Sequence, residues 1–266
     1  MFNIDELFSQ VNRIKAQGKV LSNNFMDRST IEHFSVQDES ILTYNENAIA
    51  LICCDNGIMR LYFYLYSLEA APMLRELLEQ IPIRPIVVDC VGRQEQVEPL
   101  SRALCSEGFS LYARMGRLRG QETIICPDMS CFEKDVYAEL RDVDEIFEGL
   151  RGVFDPFVSH LPSRDYLVRL IEQKLVYRLK ADGKVVAVIC MERVGKKGIY
   201  CYQGYVSPSQ RGKGYGRRVY QIAVHYSRYY CPFTTWVEDK NTQVLKIWNQ
   251  FGFLPDGLRN FVLLYQ

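Results

Sequence analysis

Arg211, Lys213, Arg217 and Arg218 crowd into one short segment with three glycines, Ser207-Pro-Ser-Gln-Arg-Gly-Lys-Gly-Tyr-Gly-Arg-Arg218. These residue types, so spaced, suit the holding of an anion. Gly212, Gly214 and Gly216 let backbone N–H groups approach a phosphate closely, because no side chain stands in the way. An apolar run ending at Val206 precedes the segment. Val219, Ile222, Ala223 and Tyr226 follow it at helical spacing. The segment is therefore a strand-to-helix turn. The N-terminus of the helix adds about half a positive charge to the full charges of the side chains. The chemistry this points to is the cradling of a pyrophosphate. The GxxxxGK[ST] pattern of nucleotide-triphosphate loops is absent. The preceding strand belongs to a hairpin series, which excludes the dinucleotide fingerprint.

Positioning such a turn takes an α/β scaffold, and the chain reads as two. Ile4, Leu7, Phe8, Val11 and Ile14 recur at helical spacing, and Gly18 can end that helix. Residues 19–40 read as a loop or a short helix. Apolar runs at 41–44, 48–54 and 58–67 are strands, with Asp55-Asn56-Gly57 as a hairpin turn. A helix on Met73, Leu74, Leu77 and Leu78, a strand at 85–91, a helix on Val97, Leu100 and Leu104, and a strand at 109–118 complete the first half. After a linker at 119–130 the order recurs. A strand at 136–140 leads to helices on Val143, Ile146, Phe147 and Leu150 and on Tyr166, Leu167, Leu170 and Ile171. Strands at 175–180, 184–192 and 198–206 then lead to the helix after the glycine turn, a strand at 233–238, a helix at 241–251 and a strand at 257–264. This is a duplicated α/β unit, with domains expected at 1–120 and 121–266.

The segment from Val206 through Gly216 resembles the acyl-CoA signature of the GNAT N-acetyltransferase superfamily, Arg/Gln-x-x-Gly-x-Gly/Ala, with Arg211, Gly214 and Gly216 in its fixed positions. Downstream, Asn241-x-x-Val244-x-x-x-Trp248-x-x-x-Gly252-Phe253 is similar to the second family motif, Asn-x-x-Ala-x-x-x-Tyr-x-x-x-Gly-Phe. The likeness covers about 130–266. In the first half the cradle position reads Ser67-Leu-Glu-Ala-Ala-Pro72, without glycine or basic residues. What the resemblance implies is a tandem of GNAT-like folds, α/β (α+β in some schemes). Each would have a mixed, mostly antiparallel sheet, a splayed parallel strand pair and flanking helices, and the first half would have lost the cofactor. Acetyl-CoA is the implied co-substrate, with no metal. Tyr205 and Val206 would hydrogen-bond the pantetheine arm through their backbones, where it lies like an extra strand in the splay. The turn from Arg211 through Gly212, Lys213, Gly214, Tyr215 and Gly216 to Arg217 would hold the pyrophosphate. Asn241 would shape the pantetheine tunnel, and Trp248 would pack beside the thioester sulfur.

Acetyl transfer to an amine needs a base, oxyanion donors and an acid for the departing thiolate. The family's acid is often a tyrosine where Trp248 stands, and its base a glutamate on the strand before the cradle. That strand, Ile199-Tyr-Cys-Tyr-Gln-Gly-Tyr-Val206, has no carboxylate. Tyr202 and Glu238 are the remaining candidates, and His160, in the loop the family uses for the acceptor, is the candidate substrate contact. The expected acceptor is a primary amine on a small molecule, peptide or protein. The alternatives are a CoA-binding sensor or scaffold without turnover, and a Fem-like aminoacyl transferase.

Composition narrows the partners. Lys+Arg and Asp+Glu both number 32, so the formal net charge is zero, which speaks against nucleic acid or anionic lipid as a partner. No stretch reaches the ~20 apolar residues that span a bilayer. The N-terminal residues do not read as a secretory signal, and the expected compartment is the cytoplasm. The nine cysteines, Cys53, Cys54, Cys90, Cys105, Cys126, Cys131, Cys190, Cys201 and Cys231, fit no zinc spacing and read mostly as buried thiols.

Overall fold

The computed structural model describes residues 1–120 and 136–266. The helices are α1 (Ile4–Lys15), α2 (Arg28–Ser35), α3 (Ala71–Glu79), α4 (Gln94–Ser106), α5 (Val143–Val153), α6 (Arg164–Glu172), α7 (Tyr215–Ser227) and α8 (Thr242–Gln250). The strands are β1 (Leu21–Ser22), β2 (Ile41–Tyr44), β3 (Ala48–Asp55), β4 (Ile58–Leu65), β5 (Ile86–Arg93), β6 (Phe109–Gly120), β7 (Val176–Ala181), β8 (Lys184–Val194), β9 (Gly198–Val206), β10 (Phe233–Glu238) and β11 (Phe253–Tyr265). They form two compact units. Unit 1 holds Met1–Arg114 with Leu258–Gln266, and unit 2 holds Met115–Gly257.

In unit 1, β3 shows how the sequence builds a two-sided core. Ala48 through Cys53 are all buried, and successive side chains must point to opposite faces. Ala48, Ala50 and Ile52 pack with Leu74, Leu77 and Leu78 of α3, while Ile49, Leu51 and Cys53 pack with Leu7, Val11 and Ile14 of α1 and Ile31 of α2. Helix α1 starts where Asn3 Oδ1 accepts the N–H groups of Asp5 (2.9 Å) and Glu6 (3.3 Å). Antiparallel pairing joins β2 to β3 and β3 to β4, and β4 runs parallel to β5. The far edge of β5 pairs antiparallel with the end of β11, from Leu258↔Arg93 to Tyr265↔Ile86. The sequence placed those closing residues in the second half. Local pattern identifies a strand but not its partner, and here the partner is β5.

Unit 2 repeats the plan. The order α5, α6, β7, β8, β9, α7, β10, α8 matches α1, α2, β2, β3, β4, α3, β5, α4, and β1 is the strand without a counterpart among the described residues. Strands β7, β8 and β9 are antiparallel neighbours, β9 runs parallel to β10, and β10 is antiparallel to the end of β6. Gly204 and Tyr205, adjacent on β9, locate the helices. Tyr205 points to Gly149 of α5, and a Cβ on Gly204 would lie 3.4 Å from the Tyr220 hydroxyl of α7, so α5 and α7 cover opposite faces. The expected strand at 136–140 is a correction. Only Tyr137 bridges to Tyr177, and the chain turns into a 3-10 helix at Leu140–Asp142. The cause is local, because the Asp142 carboxylate accepts the Glu139 N–H at 2.9 Å and closes the turn.

Candidate functional site

The site begins where β9 and β10 part. Their parallel pairing runs Phe233↔Ile199, Thr234↔Tyr200, Thr235↔Cys201 and stops. On its other edge β9 stays paired with β8 to Val206. Cys190 pairs with Gln203 while the next residue, Met191, pairs with Cys201, so Tyr202 is the extra residue of a β-bulge. A bulge bends its strand, and this one sits at the first position beyond the parallel pairs. The two strands therefore splay from that point.

The glycine turn follows directly. Pro208–Gln210 form a 3-10 turn, and Gly212 (φ 77°) and Gly214 (φ 83°) take left-handed backbone that L side chains avoid. Gly214 is the N-cap of α7, with no side-chain cap and no acid in the first turn. Cations there oppose the helix dipole. Arg217 and Arg218 nevertheless occupy that turn, beside exposed Arg211 and Lys213. The concentration of positive potential becomes favourable once an anion sits against the first N–H groups of the helix. At Gly216, in the first turn of α7, a Cβ would make an ordinary 3.4 Å contact with Val206 Cγ2, which places the helix start against the end of β9. A cavity of about 350 Å³ beside the turn is lined by residues that include Lys180, Gln210, Lys213, Tyr215 and Arg218.

The other candidates distribute as follows. Tyr202 lies on the β9 arm of the splay, and its hydroxyl donates to the His160 carbonyl. Gln203 Nε2 donates to the same carbonyl at 3.4 Å. What His160 presents to these two side chains of β9 is its backbone carbonyl, and the residue as a whole is exposed. Glu238 lies on the β10 arm, paired with Lys240 Nζ at 2.6 Å. Asn241 caps α8 by accepting the Val244 N–H at 3.3 Å. Trp248 is 1% exposed, with its ring against Tyr220, Phe233 and Phe253 at 4.9, 5.7 and 4.5 Å between centroids. Tyr205 is buried against α5.

A cluster that sequence reading missed stands beside Tyr202. The Tyr166 ring meets it edge-on at 6.1 Å, and Tyr200 lies at 6.0 Å. Glu192 lies opposite Tyr200 in the β8–β9 register, with its carboxylate near the Tyr166 hydroxyl. Burial and that carboxylate together push the Tyr166 phenol well above its ordinary pKa. The only signals in the sequence were an aromatic in a helix and an acid at a strand end. Among the described residues no group of three or more His, Cys, Asp or Glu side chains is placed to hold a metal ion. Cys53, Cys90, Cys190 and Cys201 are buried free thiols, Cys54 and Cys105 are half-buried and Cys231 is exposed, while Cys126, Cys131 and most of the expected linker lie outside the described residues.

A bulged, splayed parallel pair feeding a glycine-rich basic helix start is the arrangement the sequence resemblance leads one to expect in unit 2. Residues 143–253 match the sequence model of the acetyltransferase (GNAT) family. No curated protein sequence matches the chain. Solved structures share its fold. A GNAT-family acetyltransferase from Colwellia psychrerythraea is 14% identical with a TM-score of 0.57, covering 100% of this chain and 98% of that one. A GCN5-related N-acetyltransferase from Sphaerobacter thermophilus is 11% identical with a TM-score of 0.61, over 89% and 84%. A tandem GNAT protein from the clavulanic acid biosynthesis pathway is 11% identical with a TM-score of 0.57, over 98% and 95%. The tandem relative agrees with the repeat of element order between the two units.

Proposed function

We propose that unit 2 moves the acetyl group of acetyl-CoA to a primary amine. The observation that carries this reading is the turn at Arg211–Arg218, uncapped, basic and glycine-built, at the mouth of the β9–β10 splay. The first N–H groups of α7 with Arg211, Lys213 and Arg217 would hold the pyrophosphate. The backbone of Tyr205 and Val206 would align the pantetheine arm between the strands, which aims the thioester at the bulge. There the amine nitrogen attacks the thioester carbonyl, the carbon–sulfur bond breaks, and CoA leaves as thiolate that takes up a proton. Holding the two reactants in line supplies much of the rate. The wall of Tyr166, Tyr200 and Tyr202 with Glu192 suits an acceptor that arrives as a cation, because aromatic faces and a carboxylate both attract an ammonium. Glu192 then joins Tyr202 and Glu238 as a candidate for removing its proton.

The test is calorimetric titration with acetyl-CoA beside a thiol-release assay over amines of both charge states. One-site binding and release driven by cationic primary amines support the reading. Glu192→Gln should raise KM for such amines several-fold with unchanged acetyl-CoA affinity. Absence of acetyl-CoA binding would sink the proposal. Tight binding without release would leave a sensor or scaffold. Salt-sensitive binding of tRNA would favour aminoacyl transfer.

A further inference from the structure

Unit 1 contains the same parting of parallel strands. Its β4 and β5 pair at Met59↔Ile86 and Arg60↔Val87 and then diverge. In unit 1, however, the space is filled by the chain itself. The segment between α1 and α2 enters as β1, antiparallel to β4 with Leu21↔Leu65 and Ser22↔Tyr64. Ser22 Oγ donates to the Phe63 carbonyl at 2.7 Å. Asn23, 6% exposed, does the rest with one carboxamide. Its Oδ1 accepts the Phe63 N–H at 2.7 Å, and its Nδ2 donates to the Leu61 carbonyl at 2.9 Å and across the gap to the Asp89 carbonyl of β5 at 3.1 Å. An amide that donates and accepts between two splayed strands is the chemistry a pantetheine arm would bring. In unit 2 the matching stretch, between α5 and α6, contributes the His160 carbonyl to side chains of β9 and forms no strand in the splay.

The helix start beyond the splay is also inverted. Helix α3 begins Ala71-Pro72 after a 3-10 turn that contains Glu69, where α7 begins after glycines and cations. Proline removes an N–H from the anion-binding end, and the carboxylate opposes phosphate. The Glu69 carboxyl is held below its ordinary pKa by hydrogen bonds from the Ser67 side chain and its own backbone.

We infer that Leu21–Asn24 is a built-in substitute for the pantetheine arm, so that the second cofactor slot is permanently closed and the chain takes one acetyl-CoA. This rests on the proposed function for its stoichiometry but not for the contact itself, and the experiment separates the two. Calorimetry on the full chain should give one acetyl-CoA per chain, with amide-exchange protection gained at 202–218 and unchanged at 61–65. Two per chain, or protection gained at 61–65, would overturn the inference. In the ligand-free protein the Phe63 amide should exchange slowly, and Asn23→Ala should speed it at least tenfold. Unchanged exchange there would also overturn the inference, whatever acetyl-CoA does. If Asn23→Ala does not fold, Ser22→Ala keeps the test open, with faster exchange expected across 63–65 and no change counting against the inference. If no acetyl-CoA binds at all, the proposed function fails and the exchange measurement alone decides on β1.

Discussion

Gly214 and Gly149 are demanded for different reasons, and their variants should separate binding from stability. At Gly214 a Cβ meets nothing within 4 Å, so the demand is the φ of 83° alone. Gly214→Val should cost only about 1–2 kcal/mol, the ordinary penalty for an L residue in left-handed backbone. It should also lower acetyl-CoA affinity tenfold or more by turning the helix-start N–H groups away, while the thermal transition stays cooperative. Unchanged affinity would remove the turn from the site. At Gly149 a Cβ would lie 2.1 Å from the Tyr205 hydroxyl and 2.5 Å from its Cζ. Gly149→Ala therefore overpacks and should cost roughly 1–3 kcal/mol in denaturant titration. With Tyr205→Ala the loss should fall short of the sum of the single changes, because the second substitution opens the space the first needs. The turn was legible because three glycines and four cations cannot hide in a helix pattern. The Gly149 contact was not, since it joins residues far apart in sequence.

The elements are tied by a few polar contacts that periodicity cannot reveal. Asp142, 3% exposed, closes the turn before α5 and meets Arg178 Nε of β7 at 2.5 Å and Lys180 Nζ at 2.7 Å. Burial raises its pKa. The hydrogen bonds from Lys180, the Glu139 N–H and Arg178 outweigh that and leave the carboxyl below its ordinary value. A carboxyl lowered in this way stabilises the fold above the unfolded pKa of about 3.9, and the contribution fades as pH drops through the folded value. Stability of unit 2 should thus decline below about pH 4. Asp142→Asn, which removes the charge facing Arg178 and Lys180 while Glu139 Oε1 stays 3.3 Å from the Arg178 guanidinium, should cost about 1.5–3 kcal/mol at neutral pH and flatten that acid limb. An unaltered acid limb in the variant would refute the role. Strands and helices with regular apolar spacing, such as α1, β3 and α7, were readable from sequence. The two-residue β1 was not, because the Asn23 side chain makes it and no alternation marks it. Tyr166 and Glu192 were likewise hidden, as their meaning lies in what β9 brings beside them.

At the scale of the molecule, the chain is two units with one plan, one basic helix start and no helix long and apolar enough to cross a membrane among the described residues. Unit 1 is completed from far along the chain. Phe261, Leu263 and Tyr265 of β11 are buried in its core, against residues such as Ile86, Val88 and Phe109. Burying such side chains contributes about 1.5–3 kcal/mol each, a large share of the 5–15 kcal/mol of an ordinary domain. A chain ending at Gly257 should therefore lose protection at Ile86–Cys90 in amide exchange, and residues 1–120 expressed alone should not fold cooperatively. A cooperative transition in either would show that β11 is dispensable. The same strand sets an order of events during translation. The ribosome must deliver all of unit 2 before the last edge of β5 finds its partner. Until then nascent unit 1 exposes a sheet edge and apolar side chains, a state that recruits chaperones and invites misfolding.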